Sequence, residues 1–101
     1  MITDKLLEES GYKVYEAFSR CAECLFQKRV KDDIGTKYFI NIYKYLIYDI
    51  ARYEVSVQCE MLEYTIEFKL FSFHKDITIE EVEKQIENIW NKLELNYYEE
   101  D

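Results

Sequence analysis

From residue 53 to residue 70 apolar and polar residues take turns. In "YEVSVQCEM", Tyr53, Val55, Val57, Cys59 and Met61 interleave with Glu54, Ser56, Gln58 and Glu60. In "YTIEFKLFSF", Tyr64, Ile66, Phe68 and Leu70 interleave with Thr65, Glu67 and Lys69. Successive side chains of a strand point to opposite faces, so each run describes a strand with one apolar and one wet face. The runs meet at "MLEY", too short a connection for anything but a tight antiparallel hairpin. That turn contains no glycine, so the strands themselves must set its register.

The same reading extends upstream. In "TKYFINIYKY", Tyr38, Ile40 and Ile42 share one face, while Phe39, Asn41, Tyr43 and Tyr45 share the other. "CLFQKRV" precedes it, and the intervening "KDDIG" reads as a hairpin loop with Gly35 at positive φ. "LIYDIA" (46–51) fits either a strand extension or a helical turn. The basic cluster Lys28, Arg29 and Lys31 reads as charge that protects an edge strand.

Both ends of the chain read as helices. "TDKLLEESGYK" is a short capped helix closed by Gly11. Near the C-terminus, Thr78 as N-cap and Glu81 three residues later make a capping box, with Ile77 and Val82 as its staple. Ile79, Val82, Ile86, Ile89 and Leu93 recur at helical spacing, which predicts an amphipathic helix over residues 79–94 with Trp90 beside its apolar stripe. The expected fold is α+β. An antiparallel sheet of about four strands carries the C-terminal helix and the short N-terminal helix on one face. Tyr43 and Tyr45 then fall on the other face, which is expected to be open to solvent or to a partner.

One domain of residues 1–101 accommodates all of this, since two glycines and no proline leave no linker. No apolar run reaches the roughly 20 residues that span a bilayer, and "MITDKLLEESGYK" lacks a secretory pattern. Three cysteines without such a pattern suit reduced thiols, so a cytoplasmic protein is expected. The net charge is −8, of which residues 76–101, ending in the acidic tail 96–101, carry −7. Phosphate binding depends on cations, so this balance argues against direct contact with nucleic acid and toward a basic protein partner.

The chemistry-bearing residues are few. Cys21 and Cys24 have the C-x-x-C spacing of redox and zinc sites, and with Cys59 and His74 they could compose a Cys₃His set. In an extended segment, though, residues three apart point to opposite faces. No phosphate-binding glycine loop or H-E-x-x-H pattern is present, and no cofactor is expected. Glu80, Glu83, Glu87 and Glu94 line the outer side of the C-terminal helix, followed by Tyr97 and Tyr98 in the tail.

Together "ITDKLLEESGYKVYE", "FQKRVKDDIGTKYFINIYKY" and "EEVEKQIENIWNKL" resemble small uncharacterised proteins encoded by bacteriophages and prophages of Gram-positive bacteria. The resemblance implies a viral accessory factor acting in the host cytoplasm, and brings no functional residues with it. The expected activity is therefore non-enzymatic binding to a host protein, such as a nucleic-acid-binding or defence factor. Phe39, Tyr43, Tyr45, Tyr97 and Tyr98 would supply contact area, and Glu80, Glu83, Glu87 and Glu94 would steer the encounter. One alternative is a structural or assembly protein that forms a homo-oligomer, such as a homodimer, through the open sheet face. Another is a small metal-binding protein using the cysteines and His74.

Overall fold

The computed structural model describes residues 1–16, 22–33 and 35–92. In chain order these form α1 (Asp4–Glu9), β1 (Lys13–Glu16), β2 (Cys24–Asp33), β3 (Thr36–Ile47), β4 (Ile50–Met61), β5 (Thr65–His74) and α2 (Ile79–Lys92). The strands make one five-stranded antiparallel sheet in the order β1-β2-β3-β4-β5, a meander of nearest neighbours. Short connections permit no other topology without a crossover.

The local signals in the sequence do what their chemistry requires. Thr3 caps α1 by accepting from the Leu6 N–H at 3.2 Å, and Gly11 closes the helix at φ 98°. Thr78 caps α2 in the same way, accepting from the Glu81 N–H at 3.2 Å. Gly35 sits at φ 77° in the β2–β3 turn. The aspartates of that expected loop instead belong to β2, pairing Asp32 with Lys37 and Asp33 with Thr36.

Both helices lie on one face. Ile2 and Leu7 from the N-terminal segment, Tyr12, and Val82 and Ile86 from α2 form one buried cluster with Phe26, Tyr38, Ile40, Ile42, Tyr53, Val55, Val57 and Phe73 of the sheet. Burying these side chains supplies most of the folding drive. The Tyr53 and Phe73 rings stack with centroids 4.9 Å apart. The N-terminus is fastened beside α2 by the Ile2 N–H, which donates to the Lys75 carbonyl at 2.6 Å. The Lys44 ammonium adds a tie to the Asp4 carboxylate at 3.0 Å. No described helix is long and apolar enough to cross a membrane.

Two bulges depart from simple alternation. On β5 the partner of Val55 is Phe71 and that of Ser56 is Lys69, so Leu70 is the extra residue. Phe71 and Phe73 thereby reach the covered face, although an unbroken strand continuing from Phe68 would turn them away. On β2 the register shifts between Arg29 and Lys31. β1 pairs with β2 only from Cys24 to Gln27, so Lys28, Arg29 and Lys31 follow on a stretch of β2 whose outer side no described strand pairs, as the edge reading expects. Lys28 is used internally, with its Nζ 5.3 Å from the Tyr12 ring centroid and 4.0 Å from Glu83.

The helix-free face is not bare in its middle. Asn41 and Ser56 are both fully buried there, and Tyr43 is only 7% exposed. Gln27 Nε2 donates to Asn41 Oδ1 at 2.9 Å, and Asn41 Nδ2 donates to Gln58 Oε1 at 2.7 Å. The Ser56 hydroxyl donates to the Glu67 carboxylate. Among the described residues no buried side-chain polar atom is left without a partner. A buried amide costs free energy unless it is paired, so this network holds β2, β3 and β4 in a single register.

Candidate functional site: a projecting hairpin

β3 and β4 pair along their whole length, from Thr36 opposite Met61 to Ile47 opposite Ile50. Their neighbours stop earlier. β2 pairs with β3 only as far as Lys44, and β5 pairs with β4 only as far as Arg52. The end of the hairpin therefore projects with no described strand on either flank. Its side chains are exposed as a consequence: Leu46 47%, Ile47 50%, Ile50 57% and Tyr48 94%.

The turn at the end contains just Tyr48 and Asp49, with φ of 51° and 63°. Positive φ at both central residues defines the type I′ turn, whose twist matches the strands it joins. Asparagine and glycine usually occupy it, because a β-carbon is disfavoured in left-handed backbone. Here a tyrosine takes the first position and holds its ring almost wholly in water.

Beside this arm, on the helix-free face, lies a cleft of about 270 Å³ whose lining includes Tyr45, Ile47, Arg52, Glu54, Lys69 and Ser72. Lys69 and Glu54 form an ion pair across it at 3.7 Å. The cleft and the arm share Ile47, so a ligand held by one touches the other.

The residues singled out in the sequence are dispersed. Phe39, Tyr43 and Tyr45 do share the helix-free face, but Tyr43 is buried and the other two are half-buried. The expected open tyrosine surface is thus corrected at its centre. Tyr43 stands between Leu25 and Glu54 in register, both half-buried, and is packed into the sheet surface. On α2, Glu80 and Glu87 are exposed, whereas Glu83 turns toward the sheet and Lys28. Glu94, Tyr97, Tyr98, Cys21 and Leu93 lie outside the described residues.

The Cys₃His arrangement does not assemble. Through Lys44, Cys24 aligns with Tyr53 of β4, six positions from Cys59, which separates the two thiols by about 20 Å along the strands. His74 is exposed, and its register with Arg52 puts it on the other face. Among the described residues no three His, Cys, Asp or Glu side chains are grouped to hold a metal ion. Burial pushes both thiols up, joined at Cys24 by the Asp4 and Glu23 charges against the opposing pull of Lys44. Redox and nucleophilic cysteines require the opposite shift.

The hairpin arm escaped the sequence reading. "LIYDI" carries three aliphatic residues and a tyrosine between two alternating strands, and that excess of apolar side chains over any buried face was its available signal. No known protein family, curated protein or solved structure matches this chain.

Proposed function

We propose that this is a non-enzymatic binding protein whose contact element is the β3–β4 arm. It inserts Tyr48, flanked by Leu46, Ile47 and Ile50, into an apolar pocket of a protein partner. One observation carries the reading: a tyrosine occupies a left-handed turn position and is 94% exposed, where a small residue would satisfy the backbone better. Backbone strain combined with an exposed aromatic ring suits a recognition element, because tyrosine gives large contact area at low entropic cost.

The partner's pocket carries a basic rim. Asp49 sits in the turn and the chain's net charge is −8, most of it in residues 76–101, so positive charge on the partner would speed the encounter. In keeping with the resemblance noted above, the partner is sought in the cytoplasm of a Gram-positive host, and a nucleic-acid-binding or defence protein has the required charge. The mechanism is occupancy of a surface that the partner needs for something else. Pairing through the helix-free sheet face is less favoured, since Tyr43 and Asn41 are already buried there.

Affinity capture from host lysate tests this. The wild-type chain should retain a specific protein at low salt and release it at high salt, and Tyr48→Glu and Ile50→Glu should each cut retention at least ~tenfold. Retention indifferent to both substitutions would refute the assignment.

A further inference from the structure

We infer that β5 is a self-pairing edge, through which two copies of this chain join their sheets antiparallel about a two-fold axis at Phe68. Among the described residues nothing pairs with the outer side of β5, which closes the strand order. The Met61 N–H donates to the Tyr64 carbonyl at 2.9 Å, so Met61 and Tyr64 are a hydrogen-bonded pair. Alternation then directs the backbone of Ile66 and Phe68 toward β4, and that of Thr65, Glu67 and Lys69 outward. The outward stretch is a ready template for another strand.

Its side chains choose the occupant. With the axis at Phe68, Glu67 of each copy, which also accepts from Ser56, faces Lys69 of the other, which also reaches Glu54 at 3.7 Å, and Ile66 faces Leu70. Opposite charges meet twice, while Phe68 meets its own symmetry mate on the apolar face. Shifting the axis by one residue to Glu67 would set carboxylate against carboxylate, which is unfavourable. Ile66 is 45% and Phe68 40% exposed, so both have apolar surface left to cover. The bulge at Leu70 ends the regular stretch and limits pairing to this short self-complementary segment. A C2 contact requires this kind of reciprocity, in which a residue meets its complement in both directions. The inference is independent of the hairpin arm, which lies at the opposite end of β4.

Sedimentation of the purified chain at ~150 mM salt is the test. A species of twice the 12.4 kDa chain mass should form as concentration rises. Glu67→Lys and Lys69→Glu should each weaken it at least ~tenfold, and the two together should associate more tightly than either alone, since the intermolecular pairs are re-formed while the Glu54 and Ser56 contacts are not. Tyr48→Glu should leave it unchanged, which separates this result from any failure of the arm. Should either variant misfold, hydrogen exchange on the wild-type chain decides. The Glu67 and Lys69 amides must then gain protection with concentration while that of Tyr48 does not. A monomer at every concentration, a dimer indifferent to the charge changes, or protection elsewhere than β5 would overturn the proposal.

Discussion

The two faces of the sheet reach the same degree of burial by opposite chemistry. On one, Ile40, Ile42, Val55 and Val57 disappear beneath a second layer made by α1 and α2. On the other, Asn41 and Ser56 are equally inaccessible with no described helix above them, and each is hydrogen-bonded to a longer neighbour. The covered face gains free energy from removing apolar area and is tolerant of which hydrophobe fills the space. The helix-free face gains little from burial itself, because its amides exchanged water for one another. What it gains is specificity, since a slip of β3 by one residue would strand Asn41 among apolar side chains.

Substitutions should break this contrast in a definite order. Ile40→Ala, which opens a cavity under the helices, should cost about 3 kcal/mol in denaturant unfolding. Asn41→Leu should cost about 2 kcal/mol although it adds apolar volume, because Gln27 and Gln58 lose a buried partner. Changing Gln27, Asn41 and Gln58 together to leucine should cost less than the three single changes added, and additivity would show that they do not act as a network.

The covered face should also be the one that fails in alkali. Burial first, then the Glu83 charge, holds the Tyr12 hydroxyl above its usual value of 10.0. Burial acts the same way on Tyr53. Burial alone would lower Lys44, but the hydrogen bond and charge of Asp4 outweigh it and raise it on balance. A group raised on folding contributes its full stability below its unfolded pKa, and loses it as pH climbs through the folded value. Stability should therefore fall steadily above pH 10. Tyr12→Phe should flatten that decline by up to about 1.4 kcal/mol per pH unit, a difference readable from urea midpoints at successive pH values. The smallest effect is expected at the arm. Tyr48→Asn suits left-handed backbone better and should raise stability by about 0.5 kcal/mol in thermal melts, while weakening partner capture.

The alternation in residues 36–70 told which residues share a face because side-chain direction in a strand is a local property. Tyr38 and Tyr53 could be assigned to the core side on that ground, as could the caps at Thr3 and Thr78, which need only a hydroxyl three residues before an amide. The β3–β4 turn was hidden because Tyr48 and Asp49 carry none of the glycine chemistry that marks a type I′ turn. Its projection was hidden too, for it depends on where β2 and β5 happen to stop. Leu70 offered no sign of a bulge, since the shift exists only relative to β4.

The sequence by itself determined an α+β chain of antiparallel strands, the two faces of each strand, and the amphipathic helices that had to cover one of them. Tertiary structure alone decided that Tyr43 is buried while Tyr48 is exposed, though both belong to one tyrosine-rich run. The reason is physical: facing follows from the backbone of a single strand, but exposure depends on which neighbouring strands and side chains stand beside a residue, and those are far away in sequence.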